Sequence, residues 1–142
     1  MMSQALPVRP IAGYRLWTGP SAVLNDPRAV CDLGIEAVVC VAPEPLPERW
    51  PRELTFLRIP LNDGENAPGS LRRAVDIVQG LIRDAVPTLL VCSMGHSRSI
   101  AVAAAAIAAC ESAQPDEVLQ RITAARPADV SPVLWDSLKR IL

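Results

Sequence analysis

Residues 88–112 read TLLVCSMGHSRSIAVAAAAIAACES, and the change of character inside this stretch decides the fold. Thr88 to Val91 is too short and too apolar for a surface helix and fits a strand buried in the middle of a sheet. From Ser99 to about Ser112 the chain is apolar all round, the mark of a helix enclosed by other elements. Between them, Cys92 to Arg98 form a tight loop. A strand that turns through a loop into a buried helix is the working unit of a layered α/β fold.

The same alternation continues outward. Upstream, Ser70 offers a cap to a helix whose Leu71, Ala74, Val75, Val78, Leu81, Ile82 and Ala85 share one face. Leu54 to Ile59 has strand character, and Pro60 to Gly69 is a polar loop leaving its carboxyl end. Ile35 to Val41 is a β-branched run suited to a strand covered on both faces. Prolines 43, 45, 47 and 51 make the next stretch a loop. Asp26-Pro27 provides a cap and first-turn proline for a short helix to about Leu33, closed by Gly34. Tyr14 to Trp17 reads as an edge strand and Gly19-Pro20 as a turn. Downstream, Pro115-Asp116-Glu117 opens a helix with acids at its positive end. Ser131-Pro132 opens the last helix, with Leu134, Trp135, Leu138, Ile141 and Leu142 inward. The expectation is one α/β domain over residues 1–142, with a central, mostly parallel sheet of about four to five strands flanked by helices. Ligands in such folds bind beyond the carboxyl ends of the strands, so the loops around Asp63 and Cys92 are expected to face each other.

Composition narrows the chemistry. The 142 residues are 50% hydrophobic, enough for one sizeable core. A net charge of −1 without any Lys/Arg block gives no reason to expect nucleic acid or membrane as partner. The longest apolar run, Ile100 to Cys110, is about 16 Å long as a helix, against about 30 Å of bilayer hydrocarbon. The leading residues MMSQALPVRP lack a basic region followed by an apolar segment, which predicts a cytoplasmic protein with reduced thiols. The four cysteines form no CxxC pair and His96 is the only histidine, so neither zinc nor another cofactor is expected. Cys31, Cys40 and Cys110 read as core, with reversible disulfide protection of Cys92 as the alternative. Trp17, Trp50 and Trp135 read as structural.

The loop itself is suited to holding an anion. A helix N-terminus presents unpaired N–H groups and a positive dipole end. Gly95 lets the loop curl, Ser93, Met94, Gly95, His96 and Ser97 supply backbone amides, and Arg98 adds a planar fork matched to two oxygens of a phosphate. Cys92 lies at the base of this bowl, where the same field favours thiolate over thiol. Bland roles exist for each residue: Cys92 as inert core, Asp63 as a turn former with Glu65 its rival, Arg98 as a salt-bridge partner, and Arg72 and Arg73 as a solvated helix face.

Cys92-x5-Arg98-Ser99 resembles the signature of the cysteine-dependent phosphatases. Low-molecular-weight tyrosine phosphatases and arsenate reductases also carry valine before the cysteine, but their loop lies near the N-terminus. The order here is similar to that of the dual-specificity phosphatases: an acid-bearing loop at Asp63, a helix over 70–85, a strand over 88–91, then Cys92. The Ala124-Ala125-Arg126-Pro127 run, the helix after Ser131-Pro132 and the opening YRLWTGP resemble the same domain.

The resemblance implies a metal-independent phosphomonoesterase working through a phosphocysteine. Cys92 would be the nucleophile, residues 93 to 98 the phosphate cradle, Asp63 the general acid and then base, and Ser99 a hydrogen-bond donor that helps the sulfur leave. Asn62 would orient the acid loop, and His96 would lie at the pocket mouth. The substrate would be a protein carrying phosphotyrosine or phosphoserine/threonine, or alternatively an RNA 5′ phosphate, phosphoinositide or phosphosugar. A phosphate-binding module without turnover and a sulfur-transfer enzyme are further alternatives. In the family the residue before the cysteine is usually histidine; Val91 in its place predicts a thiol that ionises less readily and slower chemistry.

Overall fold

The computed structural model describes residues 6–44 and 47–142. Pro45 of the expected proline loop and the first five residues of the leading segment lie outside the described residues. In chain order the elements are β1 (Arg9–Pro10), β2 (Leu16–Pro20), a 3₁₀ turn (Ser21–Asn25), α1 (Pro27–Asp32), β3 (Ala37–Cys40), β4 (Thr55–Arg58), α2 (Pro68–Arg83), β5 (Thr88–Cys92), α3 (Arg98–Glu111), α4 (Pro115–Thr123) and α5 (Pro132–Ile141). The five strands lie in the order β1-β2-β5-β3-β4, parallel throughout except for β1 against β2. This is the mostly parallel α/β sheet expected, with β5 at its centre.

Alternation along the central strands divides the core in two. Leu90 and Cys92 of β5, with Val39 of β3, face a large core built with α2, α3, α4 and α5. Leu89, Val91, Val38 and Cys40 face a smaller one closed by Val23, Leu24 and Val30 from the 3₁₀ turn and α1. α3 runs through the middle of the larger core, and every residue from Ser99 to Ala108 is buried. Its alanines keep the helix thin, so α2, α4 and α5 can all pack against it. Among the described residues no helix is long and apolar enough to cross a membrane.

Several local expectations are corrected. Tyr14 to Trp17 was expected at the sheet edge, but the strand is Leu16–Pro20 and lies inside, because two-residue β1 covers it. Pro10 of β1 has no N–H to offer, which suits an edge. Gly19-Pro20 ends this strand rather than turning the chain. A side chain at Gly19 would begin 2.9 Å from Val8 Cγ1 and 3.3 Å from Pro7 O, so anything larger than glycine here would displace the segment before β1. Ser70 is not the cap of α2: Pro68 occupies the first turn, with its φ already set for a helix, and Ser70 Oγ accepts from Arg73 Nη2 at 3.3 Å. The helix stops at Arg83, leaving Ala85 exposed in the left-handed region at φ +55°. Leu142 lies past the end of α5 and is exposed, whereas Leu134, Trp135 and Leu138 point inward as expected. The caps expected at Asp26 and Ser131 are present, accepting from Ala29 N–H and Leu134 N–H.

Candidate active site

Because β2, β3, β4 and β5 are parallel, their carboxyl ends open on one edge of the sheet. Pro20, Cys40, Arg58 and Cys92 end these strands, and the segments that follow carry Glu44, Asp63 and the loop of residues 93 to 97. The site is assembled there.

Cys92 is the last residue of β5 and is 2% exposed. Its Sγ lies 3.2 Å from Ser99 Oγ and accepts the Gly95 N–H at 3.2 Å. Ser99 is fully buried on the first turn of α3. The Cys92 thiol thus donates to Ser99 Oγ and accepts from the Gly95 N–H, which fixes the sulfur at the base of the loop. Gly95 has a φ of +77°, and a Cβ there would lie 2.7 Å from Gly19 C and 2.9 Å from Pro20 N. The loop therefore curls over the end of β2 by glycine on glycine. Strand glycines often mark such close backbone approach, which was the readable signal for Gly19.

Arg98 is half-buried at the start of α3. Its Nη2 donates to Ser93 Oγ at 2.6 Å and its Nη1 to Leu61 O at 3.0 Å, so one guanidinium ties the cysteine loop to the acid-bearing loop. Asp63 is brought to the same place: its Oδ1 accepts from Ser97 Oγ at 2.5 Å. Glu65, the rival acid, instead lines a separate cavity of about 270 Å³ with Pro68, Leu71 and Arg140. Asn62 and Asn66 brace the acid loop reciprocally. Asn62 N–H donates to Asn66 Oδ1 at 2.7 Å, and Asn66 Nδ2 returns bonds to Asn62 O at 2.9 Å and Gly64 O at 3.2 Å. Asn66 was not singled out from the sequence, although an Asn-Asp-Gly-Glu-Asn run is rich in side chains that bond nearby backbone.

The segment between α4 and α5 braces the loop from outside, a feature with no sequence signal of its own. Asp129 N–H donates to His96 O at 2.9 Å, and Ser131 N–H donates to Ser97 Oγ at 2.9 Å. Arg126 holds that segment in turn, donating to Thr18 Oγ1 at 2.8 Å and to Pro10 O at 2.7 Å. Burial and then the charge of Arg9 push the Arg126 guanidinium below its ordinary value.

Glu44, also unanticipated, sits beside this machinery. The Ser93 hydroxyl, then the residue's own backbone N–H and the Arg98 and Arg58 charges, hold its carboxyl below the usual carboxylate range against the opposing cost of burial. Its stabilising contribution is therefore present at neutral pH and is lost as pH falls through that lowered value. Its Oε2 is buried without a hydrogen-bond partner among the described residues.

His96 and Met94 are exposed on the loop, Met94 by 70%. Both line a cavity of about 490 Å³ with Arg9, Thr18, Gly19 and Arg126, and Cys92 is not in its wall. Arg72 and Arg73 are exposed on α2, as expected of a solvated face. Val91 points away from the site into the smaller, apolar core. Cys40 lies on that side too, across the sheet from Cys92, and burial pushes its thiol up.

Known structures share this arrangement of elements. A mouse putative dual specificity phosphatase, solved as a zinc tungstate complex, superposes with a TM-score of 0.82 at 25% identity, over 99% of this chain and 91% of that one. The chain has the fold of the dual-specificity phosphatases. Human DUSP28 matches at a TM-score of 0.78 and 22% identity, over 95% of this chain and 92% of its own. PTPMT1 in complex with PI(5)P matches at 0.71 and 17%, over 89% and 88%. No protein-family model and no curated protein sequence matches. The dual-specificity fold accounts for the order of parts read from the sequence, and Asp63, Cys92, Arg98 and Ser99 fall within one cluster of that fold.

Proposed function

We propose that the protein is a phosphomonoester hydrolase acting through a phosphocysteine on Cys92, with phosphotyrosine and phosphoserine/threonine of proteins as substrates. The observation that carries the reading is the sulfur held by Gly95 N–H and Ser99 Oγ at the base of a loop that Arg98 and Asp63 both reach. Cys92 attacks phosphorus in line, and the amides of residues 93 to 98 with the Arg98 fork hold the oxygens that do not react. Asp63 protonates the departing oxygen, then as carboxylate takes a proton from the water that hydrolyses the intermediate. Ser99 stabilises the thiolate as it leaves. No step calls on a metal ion, and the protein acts in the cytoplasm.

Hydrolysis of an aryl phosphate in the presence of a chelator tests this. Wild type should turn over, Cys92→Ser should abolish turnover, and Asp63→Asn should slow it by about 10²–10⁴-fold. Turnover that survives Cys92→Ser, or that disappears with chelator, contradicts the mechanism.

A further inference from the structure

The Ser97 hydroxyl joins three segments that the reaction needs in register. Its oxygen accepts the Ser131 N–H at 2.9 Å, and it meets Asp63 Oδ1 at 2.5 Å. A hydroxyl carries a single proton. With a backbone N–H entering on the Ser131 side, that proton has one destination, and the polarity of the chain is set as Ser131 N–H to Ser97 O–H to Asp63. Ser131 is itself fixed as the cap of α5, its Oγ accepting the Leu134 N–H at 3.3 Å. The neighbouring Asp129 N–H holds His96 O at 2.9 Å, so the brace does not swing freely. Asp63 is exposed and has no other side-chain partner among the described residues. Ser97 is therefore what orients it.

We infer that Ser97 is a positioning residue for the proton step, acting through Asp63 rather than on the phosphate. The inference rests on the proposed phosphatase reading and deepens it. With Oδ1 occupied as the acceptor of Ser97, the transferable proton resides on Oδ2. In the first half-reaction the S–P bond forms as the P–O bond to the leaving group breaks, the electron pair goes to the leaving oxygen, and the Oδ2 proton follows it. In the second, water gives a proton back to Oδ2 while its oxygen bonds phosphorus, and the S–P electron pair returns to Cys92. Ser97 keeps its own proton throughout. The same bond holds Asp63 over the cradle before substrate arrives, so no ordering cost falls on the chemical step.

Two aryl phosphates separate this role from a merely structural one. Phenyl phosphate needs its leaving oxygen protonated, and dinitrophenyl phosphate does not, so kcat/KM reports phosphocysteine formation with and without help from Asp63. For Ser97→Ala, kcat/KM on phenyl phosphate should fall about tenfold or more, the scale of one charge-assisted hydrogen bond, and on dinitrophenyl phosphate by several-fold less, since the Asp129 N–H on His96 O still braces the cradle. Ser97→Thr, which keeps the hydroxyl, should recover the loss. Adding Ser97→Ala to Asp63→Asn should cost nothing further, since the two act in one step. Equal losses on both substrates, or additive losses in the double variant, overturn the inference while leaving the phosphatase reading intact. Wild type that turns over neither substrate overturns both.

Discussion

Val91 marks the boundary between what the loop needs and what the core needs. Its side chain is fully buried among Val23, Leu24, Val30 and Leu89, on the face of the sheet opposite Cys92. A histidine there would bring two ring nitrogens into an apolar pocket shaped for valine, and each unpaired buried polar group costs about 1–3 kcal/mol. Val91→His should therefore lower the unfolding free energy by about that much, read from denaturant titration, without raising kcat/KM; a faster and equally stable variant would contradict this account. Bracing comes instead from Asp129 and Ser131, on the outer side of the loop. Cys92, Gly95, Arg98 and Ser99 could be singled out because their spacing is local and their residue types suit a loop that holds an anion. Glu44 and the Ser97 hydroxyl could not, because their roles depend on partners far away in the chain.

Among the elements, the acid-bearing loop shows how much order a few polar side chains can impose. Between Leu61, whose N–H bonds Val41 O at 3.0 Å, and Pro68 at the start of α2, the loop is held by the Asn62 and Asn66 side chains and by Arg98 on Leu61 O. Asn66→Ala removes three of these bonds while leaving Asp63 itself untouched. The loop then visits open states, so kcat on phenyl phosphate should fall about tenfold with KM within twofold, and the unfolding free energy should fall by about 1.5–4.5 kcal/mol, three hydrogen bonds at about 0.5–1.5 kcal/mol each. An unchanged kcat would mean that Ser97 alone suffices to hold the acid. Helix and strand identities here followed from periodicity and burial, as in the all-apolar α3 and the central β5. The ends were harder to read: a proline in the first turn outweighed the serine two residues later, and a two-residue strand is too short to carry a pattern.

For the molecule as a whole, parallel strands do most of the functional work. They place the ends of β2, β3, β4 and β5 on one edge, so residues separated by up to half the chain meet without any long loop. The buried α3 aims its N-terminus at the same edge, and the turn between α4 and α5 closes over it. That the Asp63 and Cys92 loops would face each other was readable from the alternation of strands and helices; the outer brace was not, since it depends on where two surface helices are joined. If the protein is the phosphatase proposed above, this edge carries a phosphorylated cysteine during turnover. Rapid acid quench of wild type mixed with dinitrophenyl phosphate, followed by mass analysis of the peptide bearing Cys92, tests it directly. A phosphoryl adduct on Cys92 should form with a burst of released phenol equal to the enzyme present and decay with turnover, whereas steady hydrolysis with Cys92 unmodified at every time point would rule out the phosphocysteine.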